Sequence, residues 1–244
     1  MSHVNNLIPK IIHITWKTKD ILEKKHVFAQ NCIQKLVELA DGWEPVVSDD
    51  SDIENYLMQN LSKADYALLD GCHVVEKSDV WRLIKLFNEG GLYTDIDRLC
   101  NTSINSILNE NTKMVLPECS GTDFSHDFMC SAPGNPMFLE VLNINLERRR
   151  QGIRNVYLLG PQTYFHGITK SMTGKMIETQ PGEEVFASLR NMMHNSGFIV
   201  TYVENPPYST IMYRSENEQV DFCHETLKRD FYSKCNLCHW TGDW

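Results

Sequence analysis

Short apolar runs and longer apolar stripes succeed one another along this chain, and each predicts a different element. KIIHITW, near the amino terminus, is a compact apolar run suited to a buried strand. In residues 21–40 the side chains of Phe28, Cys32, Leu36 and Ala40 fall on one stripe, which predicts a helix. Gly42 interrupts the stripe, and residues 44–47 read as a second short strand. The acidic stretch SDDSD then offers capping side chains to the helix IENYLMQ, and a further short helix is expected over residues 63–69. Strand, helix, strand, helix is the order from which an open parallel sheet is built.

From Glu76 the pattern EKSDVWRLIKLFNEGG is again helical. Val80, Ile84 and Phe87 lie at i, i+4 and i+7 with Leu83 beside them, and Gly90 supplies a left-handed stop. LYT follows as the next strand. Residues 114–116 form an apolar strand, and a proline-started helix covers residues 136–150. VYLLGP reads as a strand and turn, and strands are expected near residues 198–203 and 208–213. No repeat, low-complexity tract or linker marks a second domain, so residues 1–244 are read as one domain.

Composition narrows the partners. A hydrophobic content of 42% suffices for a substantial core. The formal charge of −9 argues against nucleic acid, because affinity for a polyphosphate chain rests on many Lys and Arg contacts. MSHVNNLIPK has no charged segment leading into an apolar one, and nowhere is there a run of about eighteen apolar residues that would span a membrane. The eight cysteines are scattered through expected helices and strands and read mostly as reduced thiols, so the expected location is cytoplasmic.

One stretch carries chemistry. In FNEGGLYTDIDRLC two aspartates flank Ile96 at the carboxyl end of an expected strand. Alternate residues of a strand share a face, so Asp95 and Asp97 aim at one spot while Ile96 points into the core. That end of an alternating sheet is where such folds hold ligands. Two carboxylates there suit a hard divalent cation such as Mg or Mn, with substrate phosphates completing its coordination. A lone Asp-x-Asp is more often a solvated acidic turn than a metal site. Asp79 and Arg82, three apart on the preceding helix, are by themselves consistent with a surface ion pair.

The composite SDVWRLIKLFNEGGLYTDID resembles the SD-x-x-R…GG-x-Y-x-D-x-D segment of a family of sugar-transferring enzymes. The family is typified by the yeast Golgi initiating mannosyltransferase and bacterial capsular sugar transferases, with large clostridial glucosylating toxins as distant members. IPKIIHITWK is similar to the family's opening strand, LLGPQTY to its T-G-P turn with Leu159 in place of Thr, and HWTGDW to its terminal H-W-x-G-x-W. The resemblance implies an α/β fold of the GT-A nucleotide-sugar transferase type, a Rossmann-like mixed sheet flanked by helices, with residues 1–244 as one catalytic domain. It also implies a Mn²⁺ or Mg²⁺ ion held by Asp95, Asp97 and His239. Trp16, Tyr93, Asp95 and Trp244 would contact the nucleotide, with Trp16 stacked on the base and the Trp244 indole donating to the diphosphate. Asp79 and Arg82 would bond the sugar's hydroxyls, Arg82 also reaching the phosphates. Asp127 stands where relatives have a polar residue, usually Asn, that lines the sugar's reactive face.

The reaction so implied moves a hexose-type sugar from a nucleoside diphosphate, UDP-sugar favoured and GDP-mannose the other choice, to a hydroxyl of a glycan, protein or other acceptor, with retention. A metal-dependent nucleotidyltransferase is an alternative that would call for a glycine-rich loop after the first strand, which KIIHITWKTKD lacks. A non-catalytic binding protein of the same fold is another, and would lack one of the metal or sugar residues. CNLCH has the spacing of a haem attachment site, but its His belongs to the longer terminal motif and no second Cys or His pair accompanies it for zinc. ERRR closes an expected helix, where cations suit the dipole.

Overall fold

The computed structural model describes residues 7–19, 34, 38, 40–96, 103–119, 123–124, 126–177, 183–203, 209–215 and 218–224, with side chains as far as Phe198. Strand β1 (Ile11–Thr15) lies in the run expected of it and pairs in parallel with β2 (Glu44–Ser48), Ile11 opposite Glu44. Of the helix expected between them, Gln34 and Glu38 are described and are helical. Helix α1 (Asp50–Asn60) begins with a reciprocal cap. Asp49 Oδ1 accepts from the Asp52 amide at 2.9 Å, and Asp52 Oδ2 accepts from the Asp49 amide at 3.1 Å, satisfying two otherwise orphaned donors. The short α2 (Lys63–Ala67) follows, capped by Ser62.

Helix α3 (Val74–Glu89) starts two residues ahead of the expected Glu76, because the His73 ring accepts from the Val75 amide while Glu76 reaches back to the His73 amide. Every residue from Ser78 to Ile84 on it is buried, so the helix is covered on all faces. It packs against α1 and, further on, α5 (Met137–Arg150). Gly90 ends it with φ 67° and ψ −157°. The positive φ is as expected, but the ψ is not that of a left-handed helical stop. It is an extended, glycine-only conformation that sends the chain directly into β3 (Gly91–Thr94).

Among the described residues the sheet has nine strands, in the order β2-β1-β3-β6-β4-β7-β8-β9, with β5 (Asp123–Phe124) paired to β4 (Met114–Cys119). Only the β2-β1-β3 portion and the β4–β7 pair are parallel; β3 pairs antiparallel with β6 (Phe128–Ser131), as do β6 with β4 and β8 with both its neighbours. The parallel pairing expected from the strand–helix order holds in the first strands and at β4–β7, and the whole is the mixed sheet that the resemblance implies. The later strands are β7 (Phe198–Val203), β8 (Ser209–Ser215) and β9 (Glu218–His224), the last without a counterpart in the sequence reading.

VYLLGP is not a strand. Residues Val156–Leu159 form one helical turn, α6, after the single turn α4 (Ile104–Ile107), because Asn155 Oδ1 caps the Leu158 amide at 3.0 Å. Pro161 then occupies the first turn of α7 (Pro161–Thr173), where its missing N–H costs nothing. In α7 a Cβ at Gly167 would strike Val141 of α5, so glycine is what lets these two helices pack face to face. The remaining helix, α8 (Glu183–Asn195), lies against α7 and β7. Among the described residues, no helix is long and apolar enough to cross a membrane.

Candidate active site

The site is built where α3, β3 and the entry to β6 converge. Asp79 and Arg82 are not a surface pair: they are 6% and 4% exposed, and Arg82 Nη2 meets Asp79 Oδ1 at 2.8 Å. Burial alone would push the Asp79 carboxyl up, but the Arg82 guanidinium and the His126 ring more than offset this and hold it below the usual carboxylate range. Burial likewise acts to lower the Arg82 pKa, and the surrounding Tyr93, Asp79 and Asp95 drive it above its ordinary value. The pair is therefore ionised, dry and held within α3, three residues apart on one face.

Arg82 is fixed from several sides. Its Nη1 donates to the His126 carbonyl at 2.6 Å and lies 3.7 Å from Asp95 Oδ1, and its guanidinium carbon sits 4.3 Å from the centre of the Tyr93 ring. Tyr93 donates its hydroxyl to Asp95 Oδ1 at 2.7 Å, and Thr15 Oγ1 lies 3.4 Å from both the Tyr93 hydroxyl and Ser78 Oγ. Helix α3, strand β3 and the end of β1 are thus joined through side-chain oxygens around one cation.

Asp95 lies just past β3, which ends at Thr94 as the LYT strand is expected to. Its amide still donates to the Asp127 carbonyl at 2.8 Å, prolonging the β3–β6 ladder by one bond, so the carboxylate leaves the sheet edge in a defined direction. Ile96 is 7% exposed and enters the core as expected. The Asp95 side chain is 31% exposed, the most open of these charged groups. Asp127 is half-buried, and its described tie to the site is that carbonyl. Trp16, half-buried just past β1, donates its amide to the Ser48 carbonyl at 3.1 Å, which places its backbone at the carboxyl ends of β1 and β2. Asp97, His239 and Trp244 lie outside the described residues.

Two residues absent from the sequence reading belong to this cluster. His126 Nε2 is 3.4 Å from Asp79 Oδ1, and its ring stacks on Tyr164 of α7 with centroids 5.1 Å apart. No spacing along the chain signals a contact between residues so far apart. The LLGPQTY turn leads into the helix that carries Tyr164. A separate cavity of about 360 Å³, lined by residues including Lys19, Asp52, Tyr56 and Lys85, contains none of this cluster.

The fit to a divalent cation rests on oxygen chemistry. Tyr93 and Arg82 both approach Asp95 Oδ1, and the carboxylate has a second oxygen to offer a hard cation. Among the described residues no three His, Cys, Asp or Glu side chains cluster as a metal site, so a cation here needs ligands from Asp97 onward or from a phosphate-bearing substrate.

Residues 18–114, which span α1 to α4 and the cluster's α3–β3 half, match the model of a family described as "Glycosyltransferase sugar-binding region containing DXD motif". The chain is similar to inositol phosphoceramide mannosyltransferase 3 of Schizosaccharomyces pombe, 31% identical over 147 residues covering 60% of this chain and 39% of that protein. It is also similar to mannosyl phosphorylinositol ceramide synthase CSH1 of Saccharomyces cerevisiae, 31% identical over 136 residues covering 56% of this chain and 35% of that one. The chain thus spans well under half the length of the curated relatives it matches. Among solved structures it is similar to the PaToxG glycosyltransferase, with a TM-score of 0.56, 18% identity and 78% of each chain covered. The fold is accordingly of the GT-A glycosyltransferase type.

Proposed function

We propose that this chain, whose residues 18–114 fall in the glycosyltransferase sugar-binding family containing the DXD motif, transfers a hexosyl residue from a nucleoside diphosphate sugar to an acceptor hydroxyl. The observation that carries the reading is the buried Asp79–Arg82 pair, locked by the His126 carbonyl and directed at Asp95. A family match alone would allow a surface pair with no ligand. A dry, ionised pair is costly to bury and is suited to contacts with hydroxyls and with charge that develops in the transition state.

In this reading Arg82, rigid and permanently charged, stands beside the diphosphate as its bond to the sugar breaks and negative charge grows on the leaving oxygen. Asp79 accepts from sugar hydroxyls, Trp16 offers its ring to the base, and Tyr93 orients Asp95. Asp95, with Asp97 and His239, would hold a divalent cation, which neutralises charge on the diphosphate. The names of the curated relatives favour a mannosyl residue.

A donor panel tests this. GDP-mannose, UDP-glucose and UDP-galactose, each with manganese and a panel of hydroxyl acceptors, are scored for release of the nucleoside diphosphate and for retention at the anomeric carbon. Release of the nucleoside diphosphate from one donor in preference to the others supports the reading; release of hexose 1-phosphate instead points to nucleotidyl transfer and sinks it.

A further inference from the structure

Of the buried polar atoms in the cluster without a hydrogen-bond partner among the described residues, Asp79 Oδ1 has the Arg82 guanidinium against it, whereas the Tyr164 hydroxyl and His126 Nδ1 have no such counter-charge. Tyr164 is 1% exposed. Leaving a buried hydroxyl unpaired is destabilising, so an unpaired phenol in a polar cluster calls for a partner that arrives later. This phenol is not in an apolar corner. It lies close enough to Arg82, Asp79 and Asp95 for each to act on it electrostatically, and burial pushes its pKa up, so it remains a protonated donor.

Its position is built from two sides. The His126 ring lies over it with planes 18° apart, and His126 is itself anchored by its carbonyl to Arg82 and by Nε2 to Asp79. Gly160 makes room for that ring. A Cβ there would sit 3.2 Å from His126 Cε1 and 3.0 Å from the Val156 carbonyl. From Gly160 the chain enters α7, whose first turn contains Tyr164.

We infer that the Tyr164 hydroxyl is a specificity-determining contact to a hydroxyl of the donor's hexose, with the stacked His126 ring holding the phenol in place. The inference rests on the donor reading above. Among the polar groups of the cluster, Asp79 only accepts and Arg82 only donates, whereas a phenol does both. A sugar hydroxyl also does both, and it can complete the phenol without bringing a further charge into a dry site. A site built to hydrogen-bond a substrate hydroxyl rejects ligands lacking it strongly, because its own polar group is then left unpaired.

Tyr164→Phe removes this oxygen and keeps the ring. Calorimetry compares the parent and variant full chains, in manganese, for GDP-mannose and UDP-glucose against GDP and UDP, with thermal melts of both ligand-free proteins. The variant is expected to bind the preferred sugar nucleotide about tenfold more weakly. It should bind the matching diphosphate within about twofold of the parent and melt no lower than the parent, since the lost hydroxyl had no partner to lose. Equal affinity of both proteins for the sugar nucleotide overturns the inference and leaves the donor reading standing. A variant melting several degrees lower shows a structural hydroxyl and also overturns it. A parent chain that binds no sugar nucleotide refutes the donor reading itself, and this inference with it.

Discussion

Replacing Asp79 by Ala isolates the energetics of the buried pair. Asp79 and Arg82 meet at 2.8 Å with side chains 8% and 5% exposed, so the substitution leaves a guanidinium buried beside a cavity without its carboxylate. Removing one partner of a buried pair costs about 3–5 kcal/mol. For a chain of this size each kcal/mol lowers the melting temperature by roughly 2–4 °C, so a fall of roughly 6–20 °C is expected at neutral pH. The double variant Asp79→Ala/Arg82→Met removes the stranded charge and should melt higher than the single one. The pH dependence follows from Asp79 being held below its ordinary value of 3.8. Its stabilisation is complete above that value and is lost as pH falls through the folded-state pKa, so the gap between parent and variant should narrow in acid. Melts followed by circular dichroism at pH 7 and at pH 3.5 supply the numbers. A single variant within about 2 °C of the parent at pH 7, or a double variant no more stable than the single, would refute the argument from a dry ion pair.

Gly91→Ala should cost about 3 kcal/mol or more, because φ is +93° and an added Cβ would lie 2.7 Å from the Ile11 carbonyl; equilibrium denaturation measures it. His13 is buried, hydrogen-bonded through Nε2 to the Gly90 carbonyl at 2.9 Å, and burial lowers its pKa below 6.5. Its contribution is therefore intact above pH 6.5 and lost as pH falls below it, and His13→Gln should flatten that part of the stability profile. Asp97→Asn is expected to abolish transfer while leaving the melting temperature within about 2 °C of the parent, and excess chelator should abolish transfer by the parent. Undiminished diphosphate release in chelator would remove the cation from the proposed chemistry.

Local signals foretold local structure well. The acidic cap of α1, the stripe of α3, the double glycine and the β3 strand follow from side-chain types a few residues apart. What escaped were features set by distant packing. VYLL is apolar and β-branched enough to read as a strand, and the Asn155 cap with the proline at Pro161 turns it into two helices in succession. Gly167 weakens the helical signal of α7, and its purpose is visible only once Val141 is seen against it. The i, i+3 spacing of Asp79 and Arg82 is that of an exposed pair. Burial of every residue from Ser78 to Ile84, polar ones included, is what changes its meaning. His126 and Tyr164 meet only because β6 and α7 bring them to α3.

The joint between α3 and β3 is a single residue, Gly90, in a conformation open only to glycine. A connection that short has no slack. Arg82 and Asp95 sit on either side of it and are tied again at the far end, one to the carbonyl of His126 and the other to that of Asp127. Helix, strand and the 126–127 segment therefore behave as one stiff bracket. A ligand cannot draw Arg82 inward without dragging Asp95 and the edge of β6 with it. In the proposed function, this half of the site would meet its donor already in shape.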